Sequence, residues 1–431
     1  MKKRWKTVLL ATAAGIFITG CSGNNQDTGT TEQTGQTEQI QQTGSQSAGE
    51  PLEYMTNKRE DAQVLEEIAQ AFKDETGIEV EITFTENTTT ILNRVATNDI
   101  PDMAGIFPAL ATDRALIAEG IFLDLTDEAF MDKVNQEWIE ITKYEGRAYA
   151  VPFTANAGVL YYNTDIFEQY GLEEPKTIEE LYAICETLQS NGVTPFAFQF
   201  KDAATLEMQF FDRIFGGAVD HEIWNISEQV GTAGASYGDY PEIVDALEKL
   251  LKLTEYTDVD PLTVDNNVLY SLFSNGDIAM MATGTWAPAA VNQNNPDLNY
   301  KGIAFPSISG VEPFVCGNTD MAIAISATTD RPDDCKKFIE YMLREDVANQ
   351  FYEFDRCPNL VNSVDFDIPE QNEINDMLNS EKFTLLPTCH WPASYASLVQ
   401  PILQGFFMDK DVDAFISQWD DITRQAYADE N

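Results

Sequence analysis

The residues able to do chemistry are unevenly supplied in this 431-residue chain. Histidine occurs only as His221 and His390, and no HExxH, GxSxG or GxxxxGK[ST] run is present. The usual zinc, serine-triad and nucleotide signatures are therefore missing. Beyond Cys21, the cysteines are Cys185, Cys316, Cys335, Cys357 and Cys389, widely spaced and without a CxxC pair. No disulfide framework or zinc site is legible; an odd count leaves at least one thiol free in a monomer, and most of the five read as small buried apolar groups. Carboxylates are abundant instead. With 71 acidic residues, two could be found at the spacing of a glycoside hydrolase in almost any fold, so their number tests nothing. A metal carrier would want clustered His, Tyr or carboxylate ligands, and no such cluster stands out, so no metal or cofactor is expected.

Against those acids stand 26 basic residues, for a net charge of −45. Four of the bases, Lys2, Lys3, Arg4 and Lys6, lie at the extreme N-terminus. Such a surface repels nucleic acid and anionic lipid and disfavours phosphate-rich ligands, leaving neutral or cationic ones.

The basic N-terminus is followed by an apolar run from Val8 to Ile18. About 11 residues would rise only ~16 Å as a helix, too short for the ~30 Å hydrocarbon core of a bilayer, so residues 1–20 read as an export signal. The run closes on Ile18-Thr19-Gly20-Cys21, which resembles the lipobox of bacterial lipoproteins. That resemblance implies acylation of the Cys21 thiol, with small residues before it so that the peptidase can approach the backbone. Acyl chains contribute ~0.8 kcal/mol per buried CH₂, which makes two or more of them a stable anchor. The alternative is an ordinary secreted protein with a chance cysteine. Residues 21–49 are Gln, Thr, Gly, Ser, Asn and Glu with almost nothing apolar, a composition that cannot offset ordering entropy and reads as a flexible tether. A coil of roughly 28 residues would span ~30 Å.

The rest alternates helix and strand. Glu60 to Thr76 places Val64, Leu65, Ile68 and Phe72 on one face and ends at Gly77, so an amphipathic helix is predicted. In IEVEITFTE, apolar Ile78, Val80, Ile82 and Phe84 alternate with polar residues, and LEYMTN supplies a partner strand, completing a βαβ unit. Strands are also predicted at Met103–Phe107, RAYAVPF, AGVLYYN, DIAMMAT, KGIAFP and DMAIAIS. Helices are predicted at 91–97, 113–119, 177–189, 241–253, 333–343 and 412–427, and Asp165 is expected to cap the helix after YYN. The pattern is α/β, with largely parallel sheets and enough chain for two lobes.

Several segments, in a fixed order from about Glu50 to Asn431, resemble the extracellular solute-binding proteins of carbohydrate ABC importers, the group that includes maltose-binding protein. They are Pro101-Asp102 before an apolar strand, EGRAYAVPFTANAGVLYYNTDIF (145–167), PKTIEEL from Pro175, LFSNGDIAMMATGTWAPAAV (272–291) and AFPSISG from Ala304. The resemblance implies two α/β lobes, each a mainly parallel sheet flanked by helices, with ligand held in the cleft between them. It sets crossings near Thr154 to Asn156, Ile303 to Phe305 and Leu343 to Val347. The expected N-terminal lobe is then 51–155 plus 306–344, and the C-terminal lobe 156–303 plus 345–431. The implied partners are a sugar and the permease subunits of an ABC transporter. The chain is expected to act as a monomer held on the extracellular face of the cell membrane by Cys21.

A sugar offers an apolar C–H face and a belt of hydroxyls, so its site needs flat aromatics beside Asn, Asp, Gln or Arg. By resemblance, Trp286 in TGTW is presented to the ligand, and Trp391 in TCHWPASY lies where the family places another stacking ring, although Cys389-His390 departs from the family pattern. Asn156 sits at the first crossing. Asp102 and Phe107 flank a strand whose end should open toward the cleft, with a capping role as the alternative for Asp102. Asn57 and Asp320 are further candidates against turn or capping roles, and Trp224 and Tyr395 against plain packing. The functional expectation is a carrier of a mono- or oligosaccharide and not an enzyme. The alternatives are the same fold carrying a polyamine, amino acid or peptide, a surface glycosidase, and an adhesin or sensor built on the same lobes.

Overall fold

The computed structural model describes residues 49–85, 89–216, 223–308, 310, 312–364 and 367–430. The export signal, Cys21 and the tether up to residue 48 lie outside the described residues, as do His221 and the side chain of Trp224.

The first unit forms as its periodicity predicts. Strand β1 (Leu52–Thr56) leads through the helix Ala62–Thr76 into β2 (Val80–Phe84), and β1 and β2 pair in parallel. Val64, Leu65, Ile68 and Phe72 are buried on one face of the helix. Gly77 ends it at φ 76°, where its N–H reaches the Lys73 carbonyl in the left-handed conformation that favours glycine. Strand β3 (Met103–Gly105) joins the other edge of β1, again in parallel.

RAYAVPF and AGVLYYN, expected as two strands, meet in one: the end of the first, from Val151 to Phe153, and the whole of the second belong to the same strand, while Arg147 to Ala150 lie outside it. Strand β4 runs unbroken from Val151 to Asn163 and is buried at every residue. Nothing between the two segments can turn the chain, because Thr154-Ala155-Asn156 stays extended with its polar groups satisfied from neighbouring strands. Residues Val151 to Ala157 pair antiparallel with β8 (Val315–Ile325), and Gly158 to Tyr162 pair antiparallel with β6 (Ile278–Gly284). The register slips around Pro152 and Thr154, where proline has no N–H to give the ladder. Strand β7 (Tyr300–Ile303) also pairs with β4, β5 (Thr194–Phe196) pairs in parallel with β6, and β9 (Phe383–Leu385) in parallel with β8. The path of strands is β2-β1-β3-β8-β4-β6-β5, so the sheets are mixed. Parallel pairs lie toward the ends, and the two long strands β4 and β8 are antiparallel at the centre.

Helices cover these sheets. Ala62–Thr76 and Pro332–Met342 bury Phe72, Phe338 and Tyr341 against one another beside β1. On the other side, Phe198, Phe200, Phe210, Phe407, Phe415 and Trp419 form a second, largely aromatic core under the helices Tyr395–Asp409 and Val412–Asp429. Asn163, and not Asp165, caps the helix Thr164–Tyr170: its Oδ1 accepts from Ile166 N–H at 3.1 Å, while Asp165 in the first turn accepts from Asn299. An Ncap side chain must precede the helix to face its free N–H groups, which Asp165, already inside, cannot do. Leu206–Phe215 is wound as a π-helix, a form that the sequence does not announce.

Candidate functional site

Where β4 passes from β8 to β6, the two long strands touch more closely than side chains allow. A Cβ on Gly317 would lie 1.8 Å from the Asn156 carbonyl oxygen, so only glycine fits in β8 at this point. Asn156 is fully buried and uses both ends of its amide. Its Nδ2 donates to the Thr319 carbonyl and to Asp320 Oδ1, both at 3.1 Å, and its Oδ1 accepts from Asn318 N–H at 3.1 Å. The same Oδ1 also accepts from Arg213 Nε at 3.3 Å and Nη2 at 3.1 Å.

Two cations flank this amide. On one side, Asp320 Oδ2 accepts from Lys58 Nζ at 2.6 Å, and that ammonium also meets Asp355 at 2.8 Å, Glu60 at 3.0 Å and Asp61 at 3.1 Å. Lys58, Asp61 and Asp355 are almost wholly buried. Burial alone would favour a neutral lysine, but Asp320, Asp355 and Asp61 outweigh it and hold the ammonium well above its ordinary range. Beside them, burial and the Asp355 charge push Asp61 well up, against the pull of Lys58. Burial opposes ionisation of Asp355 as well, yet Lys58 and the hydrogen bond with Asp61 keep it ionised. Asp320, Asp355 and Cys357 bring ligand atoms within 4.8 Å of one another. The Lys58 ammonium contacts both carboxylates and supplies the countercharge there.

On the other side, Arg213 projects from the π-helix, nearly without exposure, with its guanidinium 5.0 Å from the centroid of the Trp286 ring. Burial draws its pKa down, against the pull of Asp320 and Asp212. Trp286 follows β6, is only partly buried, and donates from Nε1 to the Tyr270 hydroxyl at 2.9 Å. Its ring lies against Gly284, where a Cβ would come within 2.0 Å of it. Trp286, Arg213, Asn156, Asp320 and Lys58 thus form a continuous row of contacts across the change of sheet.

The expected site residues divide accordingly. Trp286, Asn156 and Asp320 are brought together. Asn57 adjoins them as the residue before Lys58; it is half-buried, and its side chain makes no hydrogen bond among the described residues. Phe107 lies beyond β3 in a small cluster with Leu110, Cys316, Leu386, Cys389 and Met208, and its N–H donates to buried Asp113 at 2.7 Å. Three others have internal duties. Asp102 stands at the start of β3, where it accepts from Glu53 N–H and the Thr329 hydroxyl and braces strand β1. Trp391 is 3 % exposed and packs on Tyr395 with ring centroids 4.0 Å apart. Tyr395 has no exposure and accepts a hydrogen bond from Trp419 Nε1. Both rings belong to the second core, because the turn before the helix Tyr395–Asp409 directs them inward.

Lys58 and Arg213 were missed in the sequence. Lys58 stands in the charged run NKRED and reads as solvated surface. Arg213 carried a fainter signal as a lone cation within FFDRIF, since a charge in an apolar helix needs a buried partner.

Residues 56–349 match the family described as bacterial extracellular solute-binding protein. The chain belongs to that family. It is similar to the multiple sugar-binding protein of Streptococcus mutans, 27 % identical over 330 residues, covering 73 % of this chain and 76 % of the relative. It is also similar to the melibiose/raffinose/stachyose-binding protein MelE of Bacillus subtilis, 24 % identical over 315 residues and covering 71 % and 72 % of the two chains. Among solved structures, RafE in complex with raffinose shares the two-lobed fold, with a TM-score of 0.79 at 23 % identity over 88 % of this chain and 99 % of that one. The five described cysteines are buried and unpaired by disulfides. No helix among the described residues is long and apolar enough to cross a membrane.

Proposed function

We propose that this chain captures a mono- or oligosaccharide in the cleft between its lobes and hands it to the permease of an ABC importer, without chemical change to the sugar. The observation that carries this reading is Trp286, a partly exposed ring set beside Arg213, Asn156 and Asp320 where the chain changes sheets. An aromatic face for C–H groups beside charged groups that can bond hydroxyls, held in place by the buried Asn156 amide, is the chemistry that a sugar requires. The names of the relatives support the same cargo.

In this reading the lobes divide at Asn156 in β4, with further crossings at 303–305 and 343–347, and Asn57 and Phe107 complete the cleft. The open form binds sugar by stacking and hydrogen bonding. Closure adds contacts from the opposite lobe, so the ligand favours the closed state by the free energy of those contacts. The protein works as a monomer tethered outside the cell through acylated Cys21.

The deciding experiment is a thermal-shift screen of the folded part, from Glu50 onward, against mono- and oligosaccharides, amino acids and polyamines. A shift with a saccharide is expected. A shift with another solute class alone would overturn the sugar assignment, and turnover of a glycoside would overturn the carrier.

A further inference from the structure

The π-helix Leu206–Phe215 sets two carboxyl groups side by side in the interior. Residues five apart on an α-helix point about 140° away from each other, whereas the i→i+5 closure of a π-helix stacks them. Here that spacing joins Glu207 to Asp212, and it also lets Arg213 Nη1 bond the Met208 carbonyl. Glu207 and Asp212 are 0 % and 1 % exposed. One oxygen of each is already engaged: Thr388 donates to Asp212 Oδ2 at 2.8 Å and Gln400 to Glu207 Oε2 at 3.5 Å. The remaining oxygens, Glu207 Oε1 and Asp212 Oδ1, have no donor among the described residues. Two acceptors that face each other without a donor are both satisfied by a single proton.

The groups around the pair are few. Arg213 is the cation that acts on both; Cys316 of β8, Cys389 and Tyr395 are the other titratable neighbours, and all three are held neutral by burial. Arg213 has Asp320 as its other counter-ion, and it is the residue over Trp286.

We propose that Glu207 and Asp212 form a one-proton site on the π-helix, in which the shared proton sets the charge facing Arg213 and so links the affinity of the cleft for its sugar to pH. The affinity link rests on the sugar reading above. At neutral pH the pair shares one proton and keeps one negative charge that balances Arg213. Burial pushes Asp212 up to about 6, so acidification adds a second proton. Arg213 then keeps only Asp320 as counter-ion, is drawn toward it, and loses its seat over the Trp286 ring.

The test combines infrared spectroscopy of the protonated-carboxyl stretch with sugar titrations of the full-length chain between pH 7.5 and 5.0. The difference between wild type and Glu207→Gln should show one protonated carboxyl at pH 7.5. A second should appear near pH 6 and be absent from Asp212→Asn. Thr388→Val, which removes a hydrogen bond to the ionised form without removing either acid, should move that step to higher pH. Sugar affinity should fall at least threefold over this range in wild type and stay within twofold in Asp212→Asn. Absence of the carboxyl at pH 7.5, or an Asp212→Asn affinity profile parallel to wild type, overturns the proposal. If no sugar binds at either pH, the cargo reading fails and the proton site is judged on the carboxyl steps alone.

Discussion

Lys58 and Trp286 carry different burdens, and substitution should separate them. Lys58→Met leaves Asp320 and Asp355 buried without their cation, and breaking a buried pair in this way costs about 3–5 kcal/mol. Denaturant unfolding should show that loss. Its pH dependence follows from the two shifts. Lys58 is raised above its ordinary 10.5, so its contribution is full below that value and disappears as pH rises through the folded value. Asp355 is lowered from 3.8, so its contribution is full above 3.8 and disappears as pH falls through the folded value. The stability that Lys58 and Asp355 give the wild type should therefore be full from about pH 5 to pH 10 and shrink outside that window, while the cost of Lys58→Met should ease toward acid pH, where the stranded carboxylates take up protons. Trp286→Ala should instead weaken sugar binding at least tenfold, about 1.4 kcal/mol, with a smaller change in melting temperature. Calorimetric titration measures the first and a melt the second.

The paired strands β4 and β8 are the elements on which the site depends. Gly317→Ala would push a methyl group into the Asn156 carbonyl, and a backbone atom within a central strand pair has nowhere to move. Overpacking of this kind costs about 1–3 kcal/mol. Gly317→Ala should lower the unfolding free energy by at least that much and weaken sugar binding as well, because the shifted carbonyl carries Asn156 with it. Unchanged affinity in a folded Gly317→Ala protein would show that the strand contact and the cleft are independent. Much at this scale was legible. The βαβ unit, Gly77 and the helices expected at 241–253 and 412–427, the second of which runs on to Asp429, follow from apolar periodicity and capping. The continuity of β4 was not legible, since a strand that serves two sheets has the same local pattern as two strands. The π-helix was not legible either, because an apolar stretch such as LEMQFFDRIF satisfies several helical windings.

For the whole molecule, the prediction concerns shape. Addition of a bound sugar should lower the radius of gyration in small-angle scattering, and a variant that binds without compaction would remove closure from the mechanism. Anchoring is tested separately: Cys21→Ser should abolish incorporation of labelled palmitate and release the folded part into the medium.

Residue order alone determined the α/β class and most of the helices, because periodicity and capping are local properties. The kind of ligand chemistry to seek, and Trp286, Asn156 and Asp320 as candidates for it, came through an ordered resemblance to solute-binding proteins. Only the tertiary structure decided which candidates meet. Trp391, Tyr395 and Asp102 turned inward because their elements had cores and strand ends to complete. Lys58 and Arg213 joined the row because the buried carboxylates and amide that hold them come from strands and helices far away in sequence.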